Sequence, residues 1–343
     1  MPVNIYDIAE KAGVSVVTVS RVLNNHPSVR GYNREKVLSA MDELDYKPNA
    51  AARTLAKGRS GMVGLVMPSF DDAFLTQILQ SVEKELAARN LFLVLATDSG
   101  QPDLSLESGC IRMLREGRVD GILMLSPVND NSYMMELKKR NIPFVLLDQH
   151  QRNLQASSVT ADNFFGGYQA TMCLIRGGAG KIAHISGPES YESSRERLRG
   201  FRKALDDSRL KLDERHLFKG DFSFQSGYRA VKEWASQGCM PDAVFACDDN
   251  AAFGVIDAAR ELGISIPDSL AVIGYDDHPF TSLFHPGIST VRQPAEKMAE
   301  SGVELLLEIM EGKVKRLTKV TLKPAIIERG TTKPTEQTAK ETP

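Results

Sequence analysis

From Met62 onward, short apolar runs alternate with amphipathic stretches, and this alternation limits what the chain can fold into. Runs at 62–67, 91–97, 119–125 and 143–147 read as strands, with helices between them over 74–89, 104–116 and 132–140. A second set follows, with strands at 157–161, 182–186, 243–247 and 270–275 and helices over 164–175, 194–206, 224–236 and 250–262. A long helix over 295–310 and strands at 317–322 and 325–327 close the pattern. Strands that are apolar at nearly every position are buried on both faces. Strands of that kind separated by helices define a parallel sheet covered on two sides. The expected class is therefore α/β, with two doubly wound parallel-sheet lobes in tandem.

The first sixty residues follow a different period. Ile5, Ile8, Ala9 and Ala12 recur at helical spacing, Gly13 supplies a left-handed C-cap, and Ser15 is a natural N-cap for a second helix. In that helix Val19, Val22 and Leu23 form the inward stripe and Val16, Val17, Ser20 and Arg21 are expected to face out. Two short helices joined by a tight glycine turn describe a helix-turn-helix, whose second helix lies in the DNA major groove. An ordinary helical hairpin has the same spacing. A third helix from about Asn33, with Val37, Leu38, Met41 and Leu44 on one face, closes a three-helix bundle.

Next comes Tyr46-Lys47-Pro48-Asn49, then Ala52-Arg53 and Leu55. A helix-turn-helix followed by Tyr-x-Pro-Asn-x-x-Ala-Arg-x-Leu resembles the lactose-repressor/galactose-repressor (LacI/GalR) family of bacterial transcription regulators, and the resemblance runs from about Asn4 to about Gly330. It implies a helix-turn-helix head at 1–47, a hinge helix at 48–60, and a periplasmic-binding-protein-like effector and dimerisation domain at 61–330. Lobe 1 would take about 61–160 plus 292–322, and lobe 2 about 161–291 plus 323–330. A hinge helix of about two turns is marginal alone and is expected to fold on DNA. The polar segment 331–343 reads as a disordered tail without leucine heptads, so no tetramerising coiled coil is expected.

Charge agrees with this division. Residues 1–60 carry nine Lys/Arg against six Asp/Glu, a net of +3, while the rest carry 33 against 38, a net of −5. A basic end on an acidic body suits a DNA-binding head. The start lacks the basic and apolar regions of a secretory signal, and no apolar run reaches the length of a membrane span, so a cytoplasmic protein with no membrane partner is expected. Cys110, Cys173, Cys239 and Cys247 show no metal-ligand spacing. The run Gly177-Gly178-Ala179-Gly180-Lys181 lacks the Ser/Thr of a phosphate loop and lies between a helix and a following strand, the reverse of what that loop needs. No catalytic triad, cofactor motif or metal set stands out, so an enzyme is not expected.

Polar residues at strand ends are the better signal. Asp148, Asp248 and Asp276 each follow an apolar run, Arg197 follows Gly187-Pro188 and the loop after the run at 182–186, Phe222 follows Gly220-Asp221, and Gln293 lies near a crossover. Each alone is an ordinary cap or loop residue. Together they lie at the carboxyl ends of successive parallel strands, where ligands of open sheets bind. Carboxylates accept hydroxyl hydrogen bonds, Arg donates in a planar fork, and an aromatic face adds apolar contact, a set suited to a sugar. The resemblance implies effector contacts at the same six positions. It adds Phe74, in the first loop, as an aromatic cover, and Tyr191 and Ser193 as specificity positions. Asp248 departs from a frequent Asn.

For DNA, the resemblance implies Ser15, Val16, Val17, Thr18, Ser20, Arg21, Asn24, Tyr46, Asn49, Arg53 and Leu55. Val16 and Val17 would discriminate operators through thymine methyls, Arg21 would pair with guanine, and Leu55 would wedge open the minor groove. The expected protein is a homodimeric repressor on a palindromic operator, switched by a small sugar or related polyol in the interlobe cleft, with room for a protein co-regulator. The rival is a sugar-binding protein with no DNA role.

Overall fold

The computed structural model describes residues 3–23, 26–46, 59–70, 72–97, 116, 118–125, 137, 139, 141–148, 156–314 and 316–334. They divide into two compact units, Met1–Gly61 and Met62–Pro343. Residues 104–115 of the expected helix over 104–116, most of that over 132–140, and most of the hinge at 48–60 lie outside the described residues.

The first unit holds α1 (Ile5–Ala12), α2 (Val16–Leu23) and α3 (Gly31–Glu43). Asn4 and Asp7 form a reciprocal capping box on α1, and Gly13 ends it at φ 64°. Ser15 Oγ accepts the Thr18 N–H at 3.2 Å at the head of α2. Ile8, Val19, Val22, Val37 and Ala40 make the core. Two expected orientations differ. Val16 is half-buried and packs on this core, because it lies one turn before Val19. Leu38 is 51% exposed. The inward face of α3 is Val37, Ala40, Met41 and Leu44, with the small Ala40 in the place expected for leucine.

The second unit carries two parallel sheets. The first contains β1 (Met62–Met67), β2 (Phe92–Thr97), β3 (Gly121–Met124), β4 (Phe144–Leu147), β5 (Ser158–Ala161) and β11 (Lys319–Leu322), in the order β11-β5-β4-β3-β1-β2. The second contains β6 (Ile182–Ser186), β7 (Leu217–Lys219), β8 (Ala243–Ala246) and β9 (Ala271–Ile273), in the order β7-β6-β8-β9. β10 (Thr290–Arg292) and β12 (Ala325–Ile327) pair antiparallel as a separate ribbon. The three-residue strands β7 and β10 are too short to leave a period and were not expected.

The helices are α4 (Ala73–Ala87), α5 (Asn163–Arg176), α6 (Glu192–Asp207), α7 (Phe224–Ser236), α8 (Asp249–Glu261) and α9 (Ala295–Met310). Alternation along the strands sorts the cores. Val63, Leu65 and Met67 of β1 face α4 and α9, while Val66 joins Ile122, Met124 and Leu146 on the other side. In the second sheet Val244 and Ala246 face α7 and α8, while Ala243 and Phe245 face α5 and α6. Each buried aliphatic side chain of this kind is worth about 1.5–3 kcal/mol. Among the described residues no helix is long and apolar enough to cross a membrane.

The expected tail begins too early. Thr331 is fully buried and Thr332 is 4% exposed. Thr331 Oγ1 donates to the Val272 carbonyl and accepts the Ser289 N–H, both at 2.8 Å, and Thr332 Oγ1 lies 2.7 Å from Ser289 Oγ. Polar composition suggested solvent, but these hydroxyls tie the segment to β9. Residues 335–343 lie outside the described residues. Thr331→Val keeps the volume but orphans a buried N–H and a carbonyl, so we expect a loss of about 1–3 kcal/mol. Urea unfolding should show a lower midpoint with an unchanged m value.

Candidate functional site: an acidic cleft and an exposed recognition helix

Both sheets reverse strand order, the first between β1 and β3 and the second between β6 and β8. Such switch points open a crevice beyond the carboxyl ends of the strands. A cavity of about 200 Å³ lies there, lined by fourteen residues that include Phe74, Asp148, Tyr191, Ser193, Arg197, Phe222, Asp248, Asp276 and Gln293. All nine effector candidates named from the sequence therefore come together. The wall also holds Pro68, Ser69, Asp72, Leu75 and Leu125, which the sequence reading did not single out.

The centre of the site is Arg197 on α6, which is 3% exposed. Its Nε donates to Asn163 Oδ1 at 2.9 Å and its Nη1 to the Cys247 carbonyl at 2.5 Å. Its Nη2 lies 3.6 Å from Asp276 Oδ1. The guanidinium sits 3.6 Å from the centroid of the Tyr275 ring. Burial opposes its charge, but Asp276, Tyr275 and Asp148 outweigh burial and hold its pKa above the ordinary value. Arg197 is thus both a donor to the cleft and a tie between α5, α6 and the ends of β8 and β9.

The acids respond to the same burial. Desolvation pushes Asp148 up to about 7 and Asp248 to about 6, with Arg197 opposing both. It raises Asp276 too, again against Arg197. Asp276 Oδ1 accepts the Gln293 amide at 2.7 Å. Asp248 Oδ1 caps α8 by accepting the Ala251 N–H at 3.1 Å, so the cap and the cleft use one side chain. Among the described residues, Asp148 Oδ1 and Gln293 Oε1 are buried with no hydrogen-bond partner. Such orphans are uncommon in folded proteins and each one asks for a cause.

Backbone geometry marks the same residues. Asp148, Phe222 and Asp276 have φ of 55°, 64° and 101°, a left-handed region that non-glycine residues seldom occupy. Phe222 turns its ring against Gly187, where a Cβ would lie 2.3 Å from ring carbons, and stacks edge-on against Tyr191 at 5.4 Å. One expectation needs correction. Phe74 is not in the loop but in the first turn of α4, which Asp72 caps by accepting the Leu75 N–H at 2.9 Å. It is 4% exposed, packs in the first-lobe core and lines the cavity.

In the head, Val17 is 59% exposed and Arg21 is exposed four residues on, so both occupy one face of α2. Thr18 and Ser20 are half-buried beside them, and Ser15 Oγ lies 2.9 Å from Thr18 Oγ1. Tyr46 is half-buried against the head core. Asn24, Asn49, Arg53 and Leu55 lie outside the described residues. Among the described residues no group of His, Cys, Asp and Glu is arranged to hold a metal ion.

A helix-turn-helix head joined to a two-sheet body with a polar cleft defines a ligand-regulated DNA-binding protein. Residues 4–49 match the bacterial regulatory proteins of the lacI family, and residues 172–332 match the periplasmic binding protein-like domain. Over 327 residues the chain is 33% identical to the HTH-type transcriptional repressor PurR of Escherichia coli O1:K1 / APEC, covering 95% of both chains. Among solved structures it is similar to the lac repressor dimer bound to operator and the anti-inducer ONPF, at 28% identity and a TM-score of 0.85, over 97% of this chain and 100% of that one. It is also similar to the transcriptional regulator CelR–cellobiose complex, at 32% identity and a TM-score of 0.72, over 96% and 99%. The chain belongs to the lacI family of bacterial regulatory proteins.

The raised carboxylates give the free protein a signed pH dependence. Asp148 titrates near 4 when unfolded and near 7 when folded. Its neutral form is favoured by folding, so its contribution is fully present below about pH 4 and is lost as pH rises through about 7. Asp148→Asn should therefore raise the Tm of ligand-free protein at pH 8 and leave it unchanged at pH 3.5. Thermal melts across that range check the sign.

Proposed function

We propose that this protein represses transcription as a homodimer on a palindromic operator and that a neutral polyhydroxylated molecule in the cleft alters its DNA affinity. The observation that carries the ligand class is the pair of orphaned acceptors, Asp148 Oδ1 and Gln293 Oε1, in one cavity with Arg197 and Asp276. Carboxylates and amide oxygens call for donors, and hydroxyl groups supply them while also accepting from Arg197. Among the described residues of the lining, Asp72, Asp148, Asp248 and Asp276 stand against one cation, Arg197, which disfavours phosphates and carboxylates as ligands. Phe74, Tyr191 and Phe222 offer apolar faces to a sugar ring. The exposed Val17 and Arg21 are free to meet base edges, and Leu55 remains the candidate wedge.

A thermal-shift screen of neutral pentoses, hexoses, disaccharides, nucleosides and sugar phosphates tests the class, because a ligand stabilises the state it binds. Stabilisation only by the anionic sugars would sink this reading. Asp276→Asn keeps the Gln293 bond but removes the charge beside Arg197. We expect it to leave operator binding by the free protein within about twofold and to weaken the ligand response at least about tenfold, a loss of about 1.4 kcal/mol. Gel shifts titrated with the ligand read both quantities.

Exposed apolar residues of the body supply a dimer surface. Leu283 is 69% exposed and Phe280 57%. Phe284 stacks on Phe253 at 5.0 Å, and His278 bridges Phe253 and Phe280 at 5.4 and 4.8 Å. A connected apolar cluster of this kind is characteristic of an interface. We expect Leu283→Asp to shift the body toward monomer in sedimentation and to weaken operator binding. A variant that remains a dimer would move the interface elsewhere.

A further inference from the structure

Two hydrogen bonds leave the buried amide of Asn163 in different directions. Its Oδ1 accepts from Arg197 Nε at 2.9 Å, and its Nδ2 donates to the Ala161 carbonyl at 3.3 Å. The first bond reaches the cleft, and the second reaches the point where the chain leaves the first sheet. We propose that Asn163 is a positioning residue for the switch: it carries the engagement of Arg197 by a ligand to the crossings of the chain between the two sheets. The inference rests on the polyol reading of the cleft and concerns how that site reaches the rest of the body.

The crossings converge beside this residue. Ala161 ends β5 in register with Leu322, which ends β11, and the Asp162 N–H donates to the Leu322 carbonyl at 2.8 Å. Two passages between the sheets, β5 into α5 and β11 into β12, are therefore pinned to each other immediately before Asn163. The Asp276 side of Arg197 leads elsewhere, through the neighbouring Asp277 to Arg292 on β10. Asn163 thus serves the two passages that the Asp276 route does not reach.

The packing around it transmits displacement. A Cβ on Gly167 of α5 would lie 2.3 Å from the Arg197 carbonyl oxygen, and one on Gly200 of α6 would lie 2.2 Å from the Phe164 carbonyl oxygen. With backbones this close the two helices cannot slide independently, so a shift of Arg197 is passed to the start of α5 rather than absorbed between them. The amide itself has one workable orientation. Arg197 Nε can only donate and the Ala161 carbonyl can only accept, so the oxygen must face the cleft and the nitrogen the crossing. Asn163 is 7% exposed, and a buried polar group satisfied on both sides in this way fixes a geometry.

Asn163→Asp separates the two bonds. Its carboxylate keeps an acceptor for Arg197 Nε but sets an oxygen against the Ala161 carbonyl, where a donor is needed. Calorimetry on the full-length protein with ribose, xylose, glucose, galactose, cellobiose and lactose finds the tightest-binding sugar, and operator affinity is then measured without that sugar and at saturation with it. We expect Asn163→Asp to bind the sugar within about fivefold of the wild type and to cut the shift in operator affinity at saturation by about threefold or more, out of a coupling of about 5–150-fold. Lost stability alone would lower the Tm without moving the saturated shift. Asn163→Ala removes both bonds and adds no charge; it should bind the sugar more weakly and show the same reduced shift at saturation, and it carries the test if Asn163→Asp does not fold. A saturated shift cut by less than about threefold, or a folded variant that no longer binds the sugar at all, overturns the relay and leaves the polyol reading standing. Binding of none of these sugars by the wild type overturns the polyol reading itself, and the relay with it.

Discussion

The body depends on one buried cation. Arg197 donates to Asn163 on α5 and to the Cys247 carbonyl after β8, faces Asp276 after β9, and rests on Tyr275. A guanidinium out of water costs several kcal/mol unless it is compensated, and here the partners come from three elements: α5, the end of β8 and the end of β9. The same contacts that satisfy the charge draw the strand ends together into a cleft. The second-sheet wall of that cleft is therefore rigid before any ligand arrives, which reduces the ordering cost of binding. The acids around it are held in the opposite condition. Burial keeps Asp148, Asp248 and Asp276 reluctant to ionise, and Asp148 Oδ1 has no partner among the described residues. A ligand that donates hydrogen bonds relieves both strains at once.

Most of the fold could be read from the chain because the parallel sheets impose period and burial together. The runs at 62–67 and 182–186 match strands residue for residue, since a doubly covered strand has no polar face to blur its ends. The cleft acids Asp148, Asp248 and Asp276 were legible for a topological reason: residues just past such strands face the crevice. Failures came where tertiary contact overrides local pattern. Leu38 looks inward by composition but is one position out of phase with Val37 and Ala40. Thr331 and Thr332 look like solvated tail, and their hydroxyls instead complete buried bonds. Asn163 reads as an ordinary helix start and Tyr275 as a strand residue. Their service to Arg197 arises across 34 positions for the first, a separation no local pattern records.

A second charged network adjoins the first. Asp277 has φ of 55° and accepts from Arg292 at 2.6 Å and from Arg329 at 2.7 Å. Beside it, Asp249 accepts the Thr290 hydroxyl at 2.7 Å and the His278 N–H at 2.6 Å. Arg292 and Thr290 lie on β10, and Arg329 follows β12, so both acids grip the antiparallel ribbon. After β10 the chain returns to the first-lobe core as α9, and β11 joins the first sheet before β12 completes the ribbon. The ribbon thus carries two passages of the chain between the sheets, a third running from β5 into α5, and relative motion of the sheets must be absorbed near these segments.

Asp276 and Asp277 are sequence neighbours with opposite duties. The first faces the cleft and the second is clamped to the crossover ribbon, and both hold left-handed backbone. Neither can move far alone, because the peptide bond between them is planar and stiff. In the proposed reading, a ligand that engages Asp276 on one wall and Asp148 on the other acts on the crossovers through a single short lever. Its effect on DNA affinity is limited to the difference in its affinity for the two arrangements of the body. That difference is reciprocal: whatever factor the ligand applies to operator binding, the operator must apply to ligand binding. Couplings of this kind are about 1–3 kcal/mol. That scale matches a few charge-assisted hydrogen bonds gained or lost, so the Arg197–Asp276–Gln293 cluster is by itself large enough to carry the switch.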